Sequence, residues 1–588
     1  MRGFANKIIV VSIAVAACLI ASCTQIQRPA TEPFITVTPP PAEHEFRWSN
    51  GKLPKSFDPA RAAAAPETDV VRALFEGLTE VDRNDEAAPA SAEKWTASED
   101  KKTWVFTIRK DARWSNGKRV TAADFLSSWK RLQSLGNKAA HRELFQNIVS
   151  MKPVKTVEQV AAETVDQQSD LEVGLPHALR YQEPNVSTAP QKESSTEKKA
   201  AEVPKPFGVE AVNDVTLKVT LEIPDKDFAK LVATPIFRPI YGDGAEFDDD
   251  PLDDGVVTNG PFRVTSVDKD GIALERSETY WNRDNVALEH VRLVPKDTAE
   301  AALDAYKKGE LDAVTNADFE PLAVKLLSPY QDLKRARHGA LNFYEFNLRN
   351  YPYTDRRVRE ALAIAIDRQR LADVEMEGST EPATRFLPTS DGDAQVTFDV
   401  EKARDLLVKA GFPNGDEFPP IRLVVNRNDT QQRIARAVAR MWKQNLNLET
   451  TVSVKEAGEM EPTFLSGSFD LMRRGVVLPA ADEMVSLSAI VGNVARSVPV
   501  ITEPKVGETK SETERGPSAA TEPAEPPMTI AVMTEDDALF EMNAIPLYFP
   551  LSYSLVKPYV RGFEIDGNGS PDLIQVTIDS SWQPKAAN

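Results

Sequence analysis

Thr103-Trp104-Val105-Phe106-Thr107-Ile108 is followed, after a polar connection, by Thr121-Ala122-Ala123-Asp124-Phe125-Leu126-Ser127-Ser128-Trp129. In the first segment Trp104, Phe106 and Ile108 alternate with Val105 and Thr107, the period of two that marks a half-buried strand. In the second, Thr121 is placed to cap a helix with Asp124 three residues on, and Phe125 and Trp129 fall on one helical face. The pair reads as strand, turn and helix. Outward from it, helical spacing recurs at Val358, Leu362, Ala365 and Ile366, at Ala403, Leu406, Leu407 and Ala410 with Gly411 as the stop, and at Ile434, Val438, Met441 and Trp442. Strand patterns fall at Val215–Leu221, Ile421–Val425 and Leu547–Leu555. The whole reads as mixed α/β with more than one sheet, its Trp and Phe side chains mostly core.

The chain has 588 residues, with 70 Lys plus Arg against 89 Asp plus Glu and a net charge of −19. At roughly 100–200 residues per domain this allows two to four domains. The charge repels phosphate backbones, and no basic run offsets it, so nucleic acid is excluded as an expected partner. Only Cys18 and Cys23 carry thiols, both near the N-terminus. The folded body therefore has no disulfide, thiolate metal site or cysteine nucleophile. Arg2 and Lys7 precede an apolar run from Ile8 to Ala21, the pattern of a secretory signal within residues 1–22. Ile20-Ala21-Ser22-Cys23 resembles a bacterial lipobox, which implies lipidation of Cys23; the alternative is ordinary cleavage near Ala21-Ser22, leaving a free thiol. Residues 23–43, with five prolines, read as an extended tether. Most of 151–206 and all of 493–527 lack the apolar content to repay ordering and are expected to be disordered.

Catalytic and metal patterns are missing. The five histidines stand at no metal-ligand spacing, and no nucleophile elbow or phosphate loop occurs. The acidic run Asp248, Asp249, Asp250, Asp253 and Asp254 lacks the spacing of a calcium loop and reads as solvated. No cofactor and no metal is expected.

Several short sequences occur in a particular order. They begin with Ser56-Phe57-Asp58-Pro59-Ala60, Leu74-Phe75-Glu76-Gly77-Leu78-Thr79 and Ala92-Glu93-Lys94-Trp95, and continue with Trp104–Arg109, Trp114-Ser115-Asn116-Gly117 and Thr121–Phe125 with Trp129. Later come Thr258-Asn259-Gly260-Pro261-Phe262, Leu274-Glu275-Arg276 with Tyr280-Trp281, and Asp355–Leu362 with Ala365-Ile366-Asp367-Arg368. Ile545-Pro546-Leu547-Tyr548 and Val556–Phe563 close the series. Taken together they resemble the peptide/nickel family of extracellular solute-binding proteins, centred on the oligopeptide-binding proteins of ATP-driven importers. The resemblance implies a two-lobed, periplasmic-binding-protein-like α/β fold with a hinge and an extra domain on the first lobe. The expected division is 44–74 with 207–337 and 543–588 as first lobe, 75–150 as extra domain, and 338–492 with 528–542 as second lobe. It further implies a monomeric, non-enzymatic, extracytoplasmic protein that holds a peptide or peptide-like ligand between its lobes, passes it to an ABC permease, and is anchored to a membrane by its N-terminal lipid.

The resemblance carries site expectations and departures from them. Main-chain ligand contacts are expected at Ala63, Ala64 and Ala65, and at Gly475, Val476 and Val477. Arg473 is expected to pair with a ligand carboxylate or with a structural acid. Val476 stands where the family has a tryptophan, and Pro479 where it has the aspartate that neutralises a peptide amine. Asp482 is expected either to substitute for that aspartate or, with Glu483, to cap the helix beginning near Met484. These departures motivate an alternative, a two-lobed lipoprotein with a non-transport role as sensor, chaperone-like holder or envelope scaffold. A hydrolase has no nameable nucleophile and base.

Overall fold

The computed structural model describes residues 34–41, 45–82, 84–151, 206–249, 251–317, 319–388, 393–478, 482–492, 495–499, 528–565 and 570–583. The signal segment, Cys23, Pro479, most of the expected insert at 151–206 and the stretch 500–527 lie outside them.

The opening segment folds as its pattern requires. Strand Thr103–Ile108 buries Trp104, Phe106 and Ile108 and turns Val105 and Thr107 outward. Thr121 and Asp124 form a capping box at the start of helix Ala122–Leu135, and Trp129 Nε1 donates to the Phe237 carbonyl at 2.8 Å. The strand belongs to a four-stranded antiparallel sheet in the order Ala92–Ala97, Thr103–Ile108, Thr216–Thr220, Val209–Asn213. Residues 209–220, which the sequence-based division put in the first lobe, thus share a sheet with 92–108, which it gave to the extra domain. Their alternation of β-branched and polar residues suits either sheet, so composition carries no trace of the choice.

Apart from three two-stranded sheets, the other described strands form one twelve-stranded sheet, ten of them in a single path through two halves. One half carries, in order, Ala313–Val314, Glu45–Ser49, His290–Leu293, Gly271–Arg276 and Phe262–Asp268. The other carries Thr450–Lys455, Ile421–Asn426, Leu471–Val477 and Ala340–Phe346. The 13-residue strand Ala544–Val556 joins them. Its start pairs antiparallel with the second half, from Ala544 opposite Glu345 to Tyr548 opposite Asn342. Its end pairs with Leu333–Arg337 and with Ala313–Val314. Residues 543–588 therefore do not belong wholly to the first lobe, because their leading residues are laddered into the second.

Helices cover the second half. Helix Asp429–Leu446, capped by the Asn428 side chain and closed by left-handed Asn447, buries Ile434, Val438, Met441 and Trp442. Trp442 Nε1 reaches the Leu362 carbonyl at 2.9 Å, tying it to helix Arg356–Ile364. Two further expectations are corrected. Residues 495–499, expected to be disordered, form a strand antiparallel to Met528–Val532, in keeping with the β-branched residues of that partner. The end of the expected tether docks on the first half: the Ile35 backbone N–H donates to Asp332 at 2.9 Å, and Lys557 Nζ donates to Thr38 Oγ1 at 2.8 Å.

Candidate ligand-binding cleft

Between the two halves lies a cleft of about 1130 Å³. One wall is built from residues of 80–82 and 84–90, the loop at 226–230, Tyr280-Trp281 and residues of 562–565 and 572–575; the other comes from Gly339, Leu387, Leu478, the start of helix Glu483–Val491 and the start of helix Glu535–Glu541.

Glu76 organises the first wall. It follows helix Glu67–Leu74, and Asn259 holds its backbone from both sides, accepting from the Glu76 N–H and donating to its carbonyl, each at 3.0 Å. Gly260 is required here, since a Cβ would stand 2.7 Å from the Leu74 carbonyl carbon. The Glu76 carboxylate accepts from Tyr280 Oη at 2.6 Å, Ser91 Oγ at 2.8 Å and Trp281 Nε1 at 2.9 Å. The Arg109 guanidinium stacks over the Trp281 ring at 3.6 Å. Burial pushes the Glu76 carboxyl up to about 7, against the pull of its three donors.

The second wall carries two buried acids. Glu535 accepts from the Phe386 and Leu387 backbone N–H groups at 2.8 and 2.7 Å and pairs with Arg385 at 3.0 Å. Asp482, 1% exposed, caps helix Glu483–Val491 by accepting from the Val485 N–H at 2.7 Å through Oδ1. Its Oδ2 has no hydrogen-bond donor. Next to it, behind the residues that line the cleft, is Asp225, 3% exposed, whose Oδ1 accepts from the Asp227 N–H at 2.9 Å and whose Oδ2 also lacks a donor. The two carboxyls contact one another, and burial raises both, Asp482 to about 6. Beside them Lys226 Nζ bridges the cleft to Glu483 Oε2 at 2.7 Å.

Of the residues expected from the sequence, Asp482 lines the cleft and also caps its helix. Ala63, Ala64 and Ala65 do not line it. They leave the short turn Pro59–Arg61 and lead into helix Glu67–Leu74, with the Ala63 carbonyl accepting from His141 Nε2 at 2.7 Å and that of Ala64 from the Thr68 N–H at 3.1 Å. Gly475, Val476 and Val477 form the end of strand Leu471–Val477, paired with Asn342, Leu341 and Ala340. Of strand Leu471–Val477, only Leu471 and Met472 pair with strand Ile421–Asn426, so among the described residues no strand covers the second edge of 473–477. Arg473 is engaged within its own half, donating to Asn342 Oδ1. Glycine at 475 leaves room for that guanidinium, which a Cβ would meet at 2.7 Å. Sequence reasoning gave no role to Glu76, Tyr280 and Trp281, although it quoted all three within motifs, and it missed Asp225, Lys226 and Glu535. Among the described residues no group of three or more His, Cys, Asp or Glu is arranged to hold a metal, and no helix is long and apolar enough to cross a membrane.

The sequence profile of the bacterial extracellular solute-binding proteins, family 5 (middle), matches residues 86–497. The chain belongs to this family. It is 28% identical over 533 residues to the periplasmic oligopeptide-binding protein OppA of Escherichia coli K12, covering 88% of this chain and 89% of that one. It is 27% identical to the periplasmic murein peptide-binding protein MppA of the same strain, covering 87% and 89%. Among solved structures, the unliganded open form of the murein tripeptide-binding protein MppA overlays with a TM-score of 0.68 at 22% identity, covering 92% of this chain and 98% of that one. Haemophilus influenzae OppA in complex with RPPGFSPFR gives 0.52 at 21% identity, covering 92% and 99%. The fold is the two-lobed α/β fold of these binding proteins.

Proposed function

We propose that this family 5 member captures peptides or peptide-like solutes outside the cytoplasm, anchored through a lipid on Cys23, and delivers them to an ABC importer. The observation that carries the reading is the cleft between two halves joined by the continuous strand Ala544–Val556. A ligand that contacts both walls favours their approach by as much as it binds the closed arrangement better. The edge of 473–477 left open beyond Met472 supports main-chain recognition by strand addition, which ignores side-chain identity because every residue offers the same N–H and C=O. The relatives named for oligopeptides and murein peptides support the same ligand class.

The test is native mass spectrometry on protein purified gently from a bacterial envelope, with identification of released ligands. A ladder of co-purified peptides is expected, together with thermal stabilisation by a peptide library; ligand at 100 times its dissociation constant adds about 2.7 kcal/mol. An empty protein that gains no stability from any peptide overturns the reading in favour of a non-transport scaffold. Mass analysis of the mature N-terminal peptide tests the anchor: a diacylglycerol adduct on Cys23 is expected, and an unmodified thiol refutes it.

A further inference from the structure

We propose that the face of the first half around helix Pro321–Leu327 rests on an anionic lipid bilayer, so that the body lies on the membrane with one fixed side toward it instead of swinging on its tether. The proposal rests on the lipid anchor at Cys23 and not on which ligand the cleft holds.

The point where the N-terminal segment meets the body is fixed. The Phe34 ring packs edge-on against Trp582 with centroids 6.3 Å apart, and the Ile35 N–H donates to buried Asp332 at 2.9 Å. Thr36 Oγ1 donates to the Lys307 carbonyl at 3.3 Å, and Thr38 Oγ1 accepts from buried Lys557 at 2.8 Å. Phe34 stands eleven positions after Cys23. A chain of that length reaches at most about 40 Å in any conformation. This is too short to lead around a body of roughly 500 residues, whose expected radius of gyration is about 23 Å. A lipid on Cys23 therefore holds this side of the first half near the bilayer.

The surface beside that point differs from the rest of the molecule. Phe319 and Leu333 pack, as Ile35 does, on the small core that contains Tyr306, so the segment between them lies against the site where the N-terminal segment docks. Within it, helix Pro321–Leu327 buries Leu327 and turns Leu322 and Leu326 to solvent, each 65% exposed and one helical turn apart. Lys325 is exposed on the same helix, and Lys334 and Arg335 follow on strand Leu333–Arg337. Between 320 and 338 the exposed charged residues are four cations, Lys325, Lys334, Arg335 and Arg337, against one acid, Glu320, in a chain where acids outnumber Lys and Arg by 89 to 70. Arg337 is paired with Glu381, whereas among the described residues Lys325, Lys334, Arg335 and the neighbouring Lys307 make no ion pair. Cations on an exposed strand also guard its edge against pairing, but that role does not call for leucines held in water on the adjoining helix. An anionic bilayer accounts for both. The anchor keeps the patch close, and each cation near an anionic surface raises its occupancy about fivefold. The leucines then enter the boundary of headgroups and acyl chains, as the apolar face of an interfacial helix does. The acidic remainder of the body is repelled by the same surface, which selects this side.

The experiment places the mature lipoprotein in the outer leaflet of preformed vesicles, made of phosphatidylcholine alone or with phosphatidylglycerol. Once Cys23 is acylated and the signal segment is removed, the chain holds no other thiol. A nitrobenzoxadiazole fluorophore can therefore be attached at Ser328→Cys, where the helix ends, or at Leu465→Cys on the second half, a position 71% exposed. With phosphatidylglycerol present, the label at 328 is expected to shift to shorter wavelength and to be quenched by external dithionite at least about fivefold more slowly than the label at 465. The two labels are expected to behave alike on phosphatidylcholine alone and in 1 M salt, where the screening length is about 3 Å. Lys325→Glu combined with Lys334→Glu is expected to abolish the difference; because the lipid and salt dependence tests the idea without these substitutions, a variant that fails to fold leaves the outcome decided. Equal quenching at 328 and 465 on anionic vesicles overturns the proposal and leaves the anchor and the proposed function standing. Protection of 328 in native envelope membranes but not on vesicles assigns the face to a protein partner and overturns it as well. A free Cys23 thiol in the mature N-terminal peptide overturns the anchor and this proposal together.

Discussion

Glu76 on one wall of the cleft and Asp482 on the other are both buried carboxyls, and they are satisfied in opposite ways. Glu76 gathers three side-chain donors from residues as distant in sequence as Ser91 and Trp281. Asp482 spends one oxygen on its helix cap and turns the other toward a second acid. A carboxylate ringed by donors is a structural keystone, because removing it strands every donor. A carboxyl facing another carboxyl is poised for a proton or a cation. The difference separates a residue that holds the wall from one that keeps an oxygen without a donor, although both are acidic and buried.

The largest expected effect breaks the keystone. Glu76→Ala leaves the Tyr280 hydroxyl, the Trp281 N–H and the Ser91 hydroxyl without an acceptor, at roughly 1–3 kcal/mol for each group left buried and unpaired. A loss of at least about 3 kcal/mol in unfolding free energy is expected by denaturant titration. A loss below about 1 kcal/mol would show that water or a shifted side chain takes over the role.

The second effect is a pH dependence that the conservative variant removes. Burial raises Glu76 from about 4.5 to about 7, so between these values the native state holds a proton that the unfolded chain releases. Stability from this group is fully present below the unfolded value and is lost as pH rises through 7; at roughly 1.4 kcal/mol per unit the difference is about 3 kcal/mol. Glu76→Gln is expected to flatten the slope between pH 5 and 8 relative to wild type. Asp355 and Asp470, lowered by their partners Arg357 and Arg422, act oppositely and only under more acid conditions. An unchanged slope in the variant refutes the assignment.

The third prediction sharpens the contrast at Asp482. Asp482→Ala loses the cap of helix Glu483–Val491, worth about 1 kcal/mol. Asp482→Asn keeps a capping oxygen and removes the buried charge. It is therefore expected to be more stable than wild type at pH 8 and to lose that advantage by pH 5, where wild type is protonated. Equal loss in both variants at pH 8 would mean that the facing carboxyls do not repel.

Local elements were legible in the sequence because neighbours decide them. The alternation of Trp104, Phe106 and Ile108, the capping box of Thr121 with Asp124, and the helical face of Ile434, Val438, Met441 and Trp442 all form as their spacing requires. The cleft was legible only in part. Asp482 was named, but Asp225 meets it across 257 positions, and no periodicity spans such a gap. Tyr280 and Trp281 reach Glu76 across more than 200 positions. The motifs that carry the family resemblance include all three, and the structure gives the physical reason: they build one wall. Ala63, Ala64 and Ala65, carried over by position from the resemblance, stand outside the cleft lining. Four small residues after a short turn, ahead of a helix whose first turn carries Glu67 and Asp69, form a bend.

The smallest expected effect concerns Lys226, which joins the two walls through Glu483 at 2.7 Å but has a side chain 67% exposed. An exposed pair of this kind contributes about 0–1 kcal/mol and weakens with salt. Lys226→Ala should therefore shift global unfolding by less than about 1 kcal/mol, far below Glu76→Ala. Its effect should fall instead on how the walls approach, because this is an ion pair that crosses the cleft beside the Asp225 and Asp482 carboxyls. Small-angle scattering of the ligand-free variant is expected to report a larger radius of gyration than wild type at low salt, with the difference vanishing near 1 M salt, where the screening length is about 3 Å. A radius independent of both the substitution and the salt would assign the approach of the walls to the strand Ala544–Val556 alone.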